Sequence, residues 1–211
     1  MATLTKNPGS GTSVGSGAIW NNPGNITTEN ASYADTTVAD PTPPSSFTLV
    51  AYNFDFSGSG LLDSDTVTVV EVRWKWFYDA VPGGVSKNTS IIGYTDAPAL
   101  TGGGSNVSDN ANLPSANAFS GWFDITGTFT SNQLRQTNWG VGLIVTWASG
   151  LPASVAKVDT CEVKVTYTQS SPVISPRFTR PSRRSTKYPF PVPVFSWMQS
   201  QPGIMVLPQP C

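Results

Sequence analysis

Thr66-Val67-Thr68-Val69-Val70-Glu71-Val72-Arg73-Trp74-Lys75-Trp76-Phe77-Tyr78 is the stretch that decides the fold. Val70, Val72, Trp74, Trp76 and Tyr78 fall on every second position, and Glu71, Arg73 and Lys75 lie between them. Successive side chains of a strand point to opposite faces, so this is one strand with an apolar side and a wet side. Val67 and Val69 run in the other phase, and a β-bulge near Val69-Val70 would bring both sets onto one core face. Exposed, Trp74 and Trp76 would make a platform for a sugar ring. Because the charged residues already supply the solvent side, both are assigned to the core.

Two more alternating sets flank this one. Trp139, Val141, Leu143, Val145 and Trp147 form the first, with Gly140 and Gly142 where another backbone can come close. Cys161, Val163, Val165 and Tyr167 form the second, opposed by Glu162, Lys164 and Thr166. Phe47–Phe56, Thr89–Tyr94 and Phe119–Phe129 are weaker strand candidates. Asp79–Lys87 and Leu100–Ala118 are expected loops, and Gly102-Gly103-Gly104 a flexible loop tip, since no Lys-Ser/Thr pair and helix follow to make a phosphate loop. No window carries a helical apolar period. The pattern predicts an all-β protein, an antiparallel jelly-roll β-sandwich with extended N- and C-terminal arms. Its expected core contains Trp20, Trp74, Trp76, Trp139, Trp147 and Tyr167.

A chain of 211 residues has room for one domain and its arms. The expected division is an N-terminal arm over 1–17, a sandwich over 18–170 and a basic, proline-rich arm over 171–211. That last segment holds Arg177, Arg180, Arg183, Arg184 and Lys187 and no Asp or Glu. Of 12 Lys and Arg and 13 Asp and Glu, the body keeps seven basic residues (12 − 5) against all 13 acidic ones, a net charge of −6. Tyr188–Phe195 alternates with prolines that fix φ and remove donors, which imposes an extended path. Phe178, Phe190, Phe195 and Trp197 make the arm too apolar for a solvated linker. It is expected to lie on a neighbouring subunit, with the five cations and Phe190, Phe195 and Trp197 in contact, the alternative being that it wraps its own sandwich. An acidic protein surface suits it better than nucleic acid, which five charges among prolines would hold weakly.

The chain has no histidine, which removes Ser-His-Asp and Cys-His systems, imidazole zinc sites and the commonest neutral-pH base. Asp55, Asp63, Asp65, Glu71, Asp79, Asp96, Asp109, Asp124, Asp159 and Glu162 could in principle supply a glycosidase pair, but most fall in turns or at strand ends, where Asp bonds backbone. Asp63-Ser64-Asp65 lacks the spacing of a calcium loop and is taken as a turn. Cys161 and Cys211 are the only cysteines, so two free thiols and a reducing compartment are expected. No apolar run is long enough for a membrane span, and Met1–Lys6 lacks the layout of a signal peptide. Neither catalysis, cofactor nor metal is expected.

Ala18-Ile19-Trp20-Asn21-Asn22-Pro23-Gly24-Asn25-Ile26, followed by Asn30-Ala31-Ser32-Tyr33-Ala34, resembles the opening of a jelly-roll domain recurrent in virion structural proteins of tailed bacteriophages. Phe54-Asp55-Phe56, Thr66–Trp74, Asn138-Trp139-Gly140-Val141 and Val158–Tyr167 continue the likeness over about residues 18–168. The chain departs from that pattern at Ser57–Gly60, at Val67–Val70 and at Asn30, where Asp is usual. The resemblance implies a non-enzymatic scaffold, a capsid-decoration or tail-associated protein made in the host cytoplasm and resident in the virion. Other virion proteins and further copies of itself are the implied partners. Trp20 and Pro23 would anchor the entry to the sandwich, with Asn22 and Asn25 bonding local backbone. A second class stays open, a carbohydrate-binding module of a host-recognition fibre whose loops grip a glycan.

Overall fold

The computed structural model describes residues 1–14, 20–38, 45–79, 87–97, 99–109, 113–127, 129–147 and 154–171. The chain divides into two units, Met1–Pro172 and Val173–Cys211. The arm beyond Ser171, with Arg177, Arg180, Arg183, Arg184, Lys187, Phe190, Phe195 and Trp197, lies outside the described residues.

Eleven strands occur among the described residues: β1 (Ala2–Lys6), β2 (Ser10–Val14), β3 (Ala34–Val38), β4 (Ser45–Tyr52), β5 (Thr66–Asp79), β6 (Lys87–Asp96), β7 (Thr101–Asp109), β8 (Ala118–Phe119), β9 (Phe123–Asp124), β10 (Gly140–Trp147) and β11 (Ser154–Thr168). One short helix, α1 (Ser131–Leu134), is closed by a capping box between Thr130 and Gln133. In the first sheet β11 is central, with β1 and β3 along one edge and β5 along the other, and β5 carries β8 and β9 on its far edge. The second sheet runs β2-β4-β10-β6-β7. All pairings are antiparallel. Without β1 and β2, the orders β3-β11-β5-β8/β9 and β4-β10-β6-β7 are the two interleaved sheets of a jelly roll.

Three expectations are corrected. Residues 1–17 do not form a free arm over their described part, because β1 pairs with β11 from Ala2↔Tyr167 to Lys6↔Val163 and β2 pairs with β4. The cause lies in β11, whose edge β3 pairs only over Ser154–Val158; the rest would present bare N–H and C=O groups without β1. Within the expected loop Leu100–Ala118, residues Thr101–Asp109 are β7, paired with β6, and Gly102–Gly104 therefore sit in a strand. Backbone pairing to an existing edge needs no side chains, so it overrides a glycine-rich composition. The candidate Phe119–Phe129 contracts to β8 and β9, between which Ser120 N–H donates to Trp74 O at 2.8 Å.

Between the sheets, Trp20, Trp74, Trp76, Trp139 and Tyr167 are all buried, as expected. Trp147 ends β10 opposite Ser45 and Lys87, and its side chain lies outside what is described. The Trp139 ring meets Phe54 and Phe129 edge-on, each at 5.6 Å. A Cβ at Gly140 would stand 2.5 Å from Ala51 O, the close backbone approach that glycine there permits. The β5 bulge falls at Thr68, between Val67↔Tyr167 and Val69↔Thr166, one residue before the position the phase change suggested.

Candidate functional site

A second bulge positions Asp159, which has the most polar partners of any side chain among the described residues. On β11, Ala156 and Val158 are buried at even positions and Cys161, Val163 and Val165 at odd ones, and the change of phase is absorbed at Asp159. This residue is unpaired between Val158↔Trp76 and Thr160↔Lys75. Bulges re-aim side chains. Asp159 is 1% exposed, and its Oδ1 accepts the backbone N–H of Asn30 (3.3 Å) and Ala31 (3.1 Å). Its Oδ2 accepts Asn117 Nδ2 at 3.0 Å and meets Lys75 Nζ at 3.3 Å. Ala31 has φ 58°, the left-handed region that non-glycine residues avoid, and the carboxylate holds it there. Burial pushes the Asp159 carboxyl up, but the bonds from Asn117, Lys75, Asn30 and Ala31 outweigh it and bring it below the usual range. A bond to Glu29 raises Lys75, against burial and helped by Asp159.

Along the outer face of the same sheet, opposite charges stand across from one another. Glu71 faces Lys164 and Arg73 faces Glu162 in the β5–β11 register, and both form ion pairs, at 2.7 and 2.6 Å. Lys157 pairs with Asp79. Aromatic rings interleave with these cations: Arg73 lies 4.0 Å from the Phe119 ring and 4.6 Å from Trp122, and Lys164 lies 4.3 Å from Trp122. Lys75 continues the ladder to Phe119 at 5.7 Å, and Lys157 lies near Tyr33 and Phe77, themselves edge-on at 5.1 Å. The ladder ties the β8–β9 segment onto β5 and β11 and leaves its charges part-exposed, from 17% for the Glu162 side chain to 59% for that of Asp79.

A cleft of about 310 Å³ opens where β5 begins. Thr66 and Val67 line it from β5, Phe129, Thr130 and Ser131 from the residues that lead into α1, and the exposed Asp63 and the buried Asp65 complete the lining. Asp65 is held as a turn acceptor, taking N–H bonds from Leu62 (2.8 Å) and Ser170 (2.9 Å), which lower its carboxyl. Asp63 pairs with Arg135. Asp63-Ser64-Asp65 is thus a turn, and among the described residues no three metal-ligating side chains come together.

The other carboxylates are similarly engaged. Asp55 accepts Ser57 Oγ and Gly58 N–H, Asp124 accepts Thr126 N–H and hydroxyl, and Asp96 accepts Asn138 Nδ2. The side chain of Asp109 lies outside the described residues. At the entry, Asn25 Nδ2 donates to Tyr33 O at 3.1 Å, whereas Asn22 serves through its left-handed backbone (φ 49°). Cys161 is a buried free thiol, raised well above its usual pKa by burial and by Glu162. No helix among the described residues is long and apolar enough to cross a membrane.

No family model matches the chain, and no curated protein matches it. Among solved structures, a protein of Bacteroides thetaiotaomicron provisionally assigned as a glycoside hydrolase is similar at 11% identity and a TM-score of 0.31, over 67% of this chain and 56% of that one. The chain thus spans a little over half the length of that protein, and a likeness at this level says nothing of chemistry.

Sequence reasoning passed over Asp159, Asn117 and Trp122 as partners. The signal for Asp159 was present: its strand changes phase between Val158 and Cys161, the same sign that marks the bulge in β5. Nothing local marks Asn117 or Trp122, which act through residues far away in the chain.

Proposed function

We propose that the chain is a non-enzymatic structural component of a tailed-bacteriophage virion, a capsid-decoration or tail-associated protein that assembles with other virion proteins and with its own copies. The observation that carries this reading is the contact of Asp159 with Asn30 and Ala31. Ala31 and Asp159 belong to the opening and closing stretches on which the resemblance to the virion jelly rolls rests, and here they lock the loop before β3 to β11. The burial of Trp20, Trp74, Trp76 and Trp139 supports a scaffold over a lectin, since it leaves these indoles no ring face for a sugar. Trp122 and Phe119, which are only part-buried, already have cations over their rings. The described carboxylates of a hypothetical glycosidase pair accept backbone, amide, hydroxyl or cationic donors, including Asp63 and Asp65, the two that line the cleft.

In this reading the sandwich supplies the rigid body and the arm from 171 to 211 joins subunits. Particles lacking the native copy should take up added full-length protein and fail to take up a chain ending at Ser171. Equal uptake of both would remove the arm from the mechanism, and no uptake of either would remove the virion role. Binding to a glycan array, lost on Trp122→Ala, would favour the carbohydrate module instead.

A further inference from the structure

The edge of β5 that faces away from β11 is covered unevenly. From Val70 to Tyr78 it is bonded by Ile125, Thr126, β9, Ser120, β8 and Pro114. Over Thr66–Val69 no strand among the described residues pairs with that edge, and there the cleft opens, with Val67 and Phe129 as its apolar part and the hydroxyls of Thr66 and Thr130 beside them. A free strand edge next to an apolar hollow suits an extended chain, whose backbone adds to the sheet while alternate side chains enter the hollow.

The sequence itself contains an occupant of that description. Arg177-Phe178-Thr179-Arg180 is a run of four residues between Pro176 and Pro181, matching in length the four uncovered residues of β5. Phe178 would fill the hollow, and the arginines on either side suit the rim, where Asp63 keeps 64% of its side chain exposed despite its pair with Arg135. The signs agree over longer range too, with five cations and no carboxylate after Ser171 against a body of net charge −6 (12 − 5 − 13). The position of the last described residues also matters. Ser170 is bonded to Asp65 and Ser64 beside the cleft, so the chain leaves the sandwich at the end where the cleft opens. In a self-complementary contact, the surface that emits an arm is also the one that receives it.

We infer that the cleft at the start of β5 receives the Arg177–Arg180 segment of a second copy, which extends the sheet along Thr66–Val69. This rests on the proposed role of the arm and names where the arm lands. The test is sedimentation velocity of the full-length protein at low salt, where it should self-associate. Thr66 is exposed, so Thr66→Arg obstructs the cleft without touching the core. This variant and Phe178→Asp should each weaken association by about tenfold or more, at unchanged melting temperature, and the double variant should be no weaker than the worse single one. A monomeric full-length protein, or wild-type association of Thr66→Arg, overturns the inference. A chain ending at Ser171 separates the two claims: if it associates like the full-length protein, the role of the arm fails. If it does not associate while Thr66→Arg does, only the cleft is wrong.

Discussion

Asp159 Oδ1 accepts the backbone N–H of Ala31 at 3.1 Å, across 128 positions of the chain. One carboxylate thereby fixes a left-handed residue in the loop before β3, a lysine on the neighbouring strand and an amide beside the sheet edge.

Replacing Asp159 by Ala removes a buried carboxylate and leaves the Asn30 and Ala31 amides and Asn117 Nδ2 without their acceptor, while Lys75 keeps its pair with Glu29. The expected loss is about 1–3 kcal/mol. Asp159→Asn keeps an oxygen for the two amides and gives up the oxygen that Asn117 Nδ2 and Lys75 meet, so it should cost less than Ala. Urea unfolding of the three proteins tests the order, and an Ala variant within about 0.5 kcal/mol of wild type would deny Asp159 its role.

Asp159, Asp65 and Asp124 all have carboxyls held below their ordinary values. Such groups add stability that is present above the unfolded carboxyl pKa, about 3.9, and is lost as pH falls through the lower folded value. The urea midpoint should therefore be level near neutrality and fall in the acid range below about pH 4. The fall should be shallower in Asp159→Asn, which has one fewer such group.

Trp139 is fully buried among Phe54, Phe56 and Phe129. Trp139→Ala opens a cavity the rigid rings cannot close, at an expected cost of about 3–5 kcal/mol. Calorimetry should show a clear drop in melting temperature; an unchanged value would place the indole outside the core.

Gly11 tests whether the N-terminal residues belong to the sandwich. A Cβ there would overlap the Pro23 carbonyl, whereas one at Gly24 meets nothing within 4 Å. Gly11→Ala should lose about 1–3 kcal/mol by overpacking, and Gly24→Ala should stay near wild type. Equal stability of the two would return residues 10–14 to a free arm.

Alternation of side chains is a property of the strand backbone itself, so Val70–Trp76, Val141–Val145 and Val163–Tyr167 were assigned to strands and faces from the sequence alone. Their buried sides are the ones expected. A change of phase is equally local, and both bulges, at Thr68 and at Asp159, leave that mark. Even the cross-strand charges, Glu71 and Arg73 against Lys164 and Glu162, were visible as two patterned rows, though not as pairs. Tertiary structure alone decided what meets what. The glycine-rich β7 and the N-terminal β1 and β2 carry little side-chain signal and exist because a neighbouring strand offers a backbone edge. Asp159, Asn30 and Asn117 became one site because folding buries the Asp159 carboxylate where distant polar groups must serve as its donors, and nothing local in the chain records that condition.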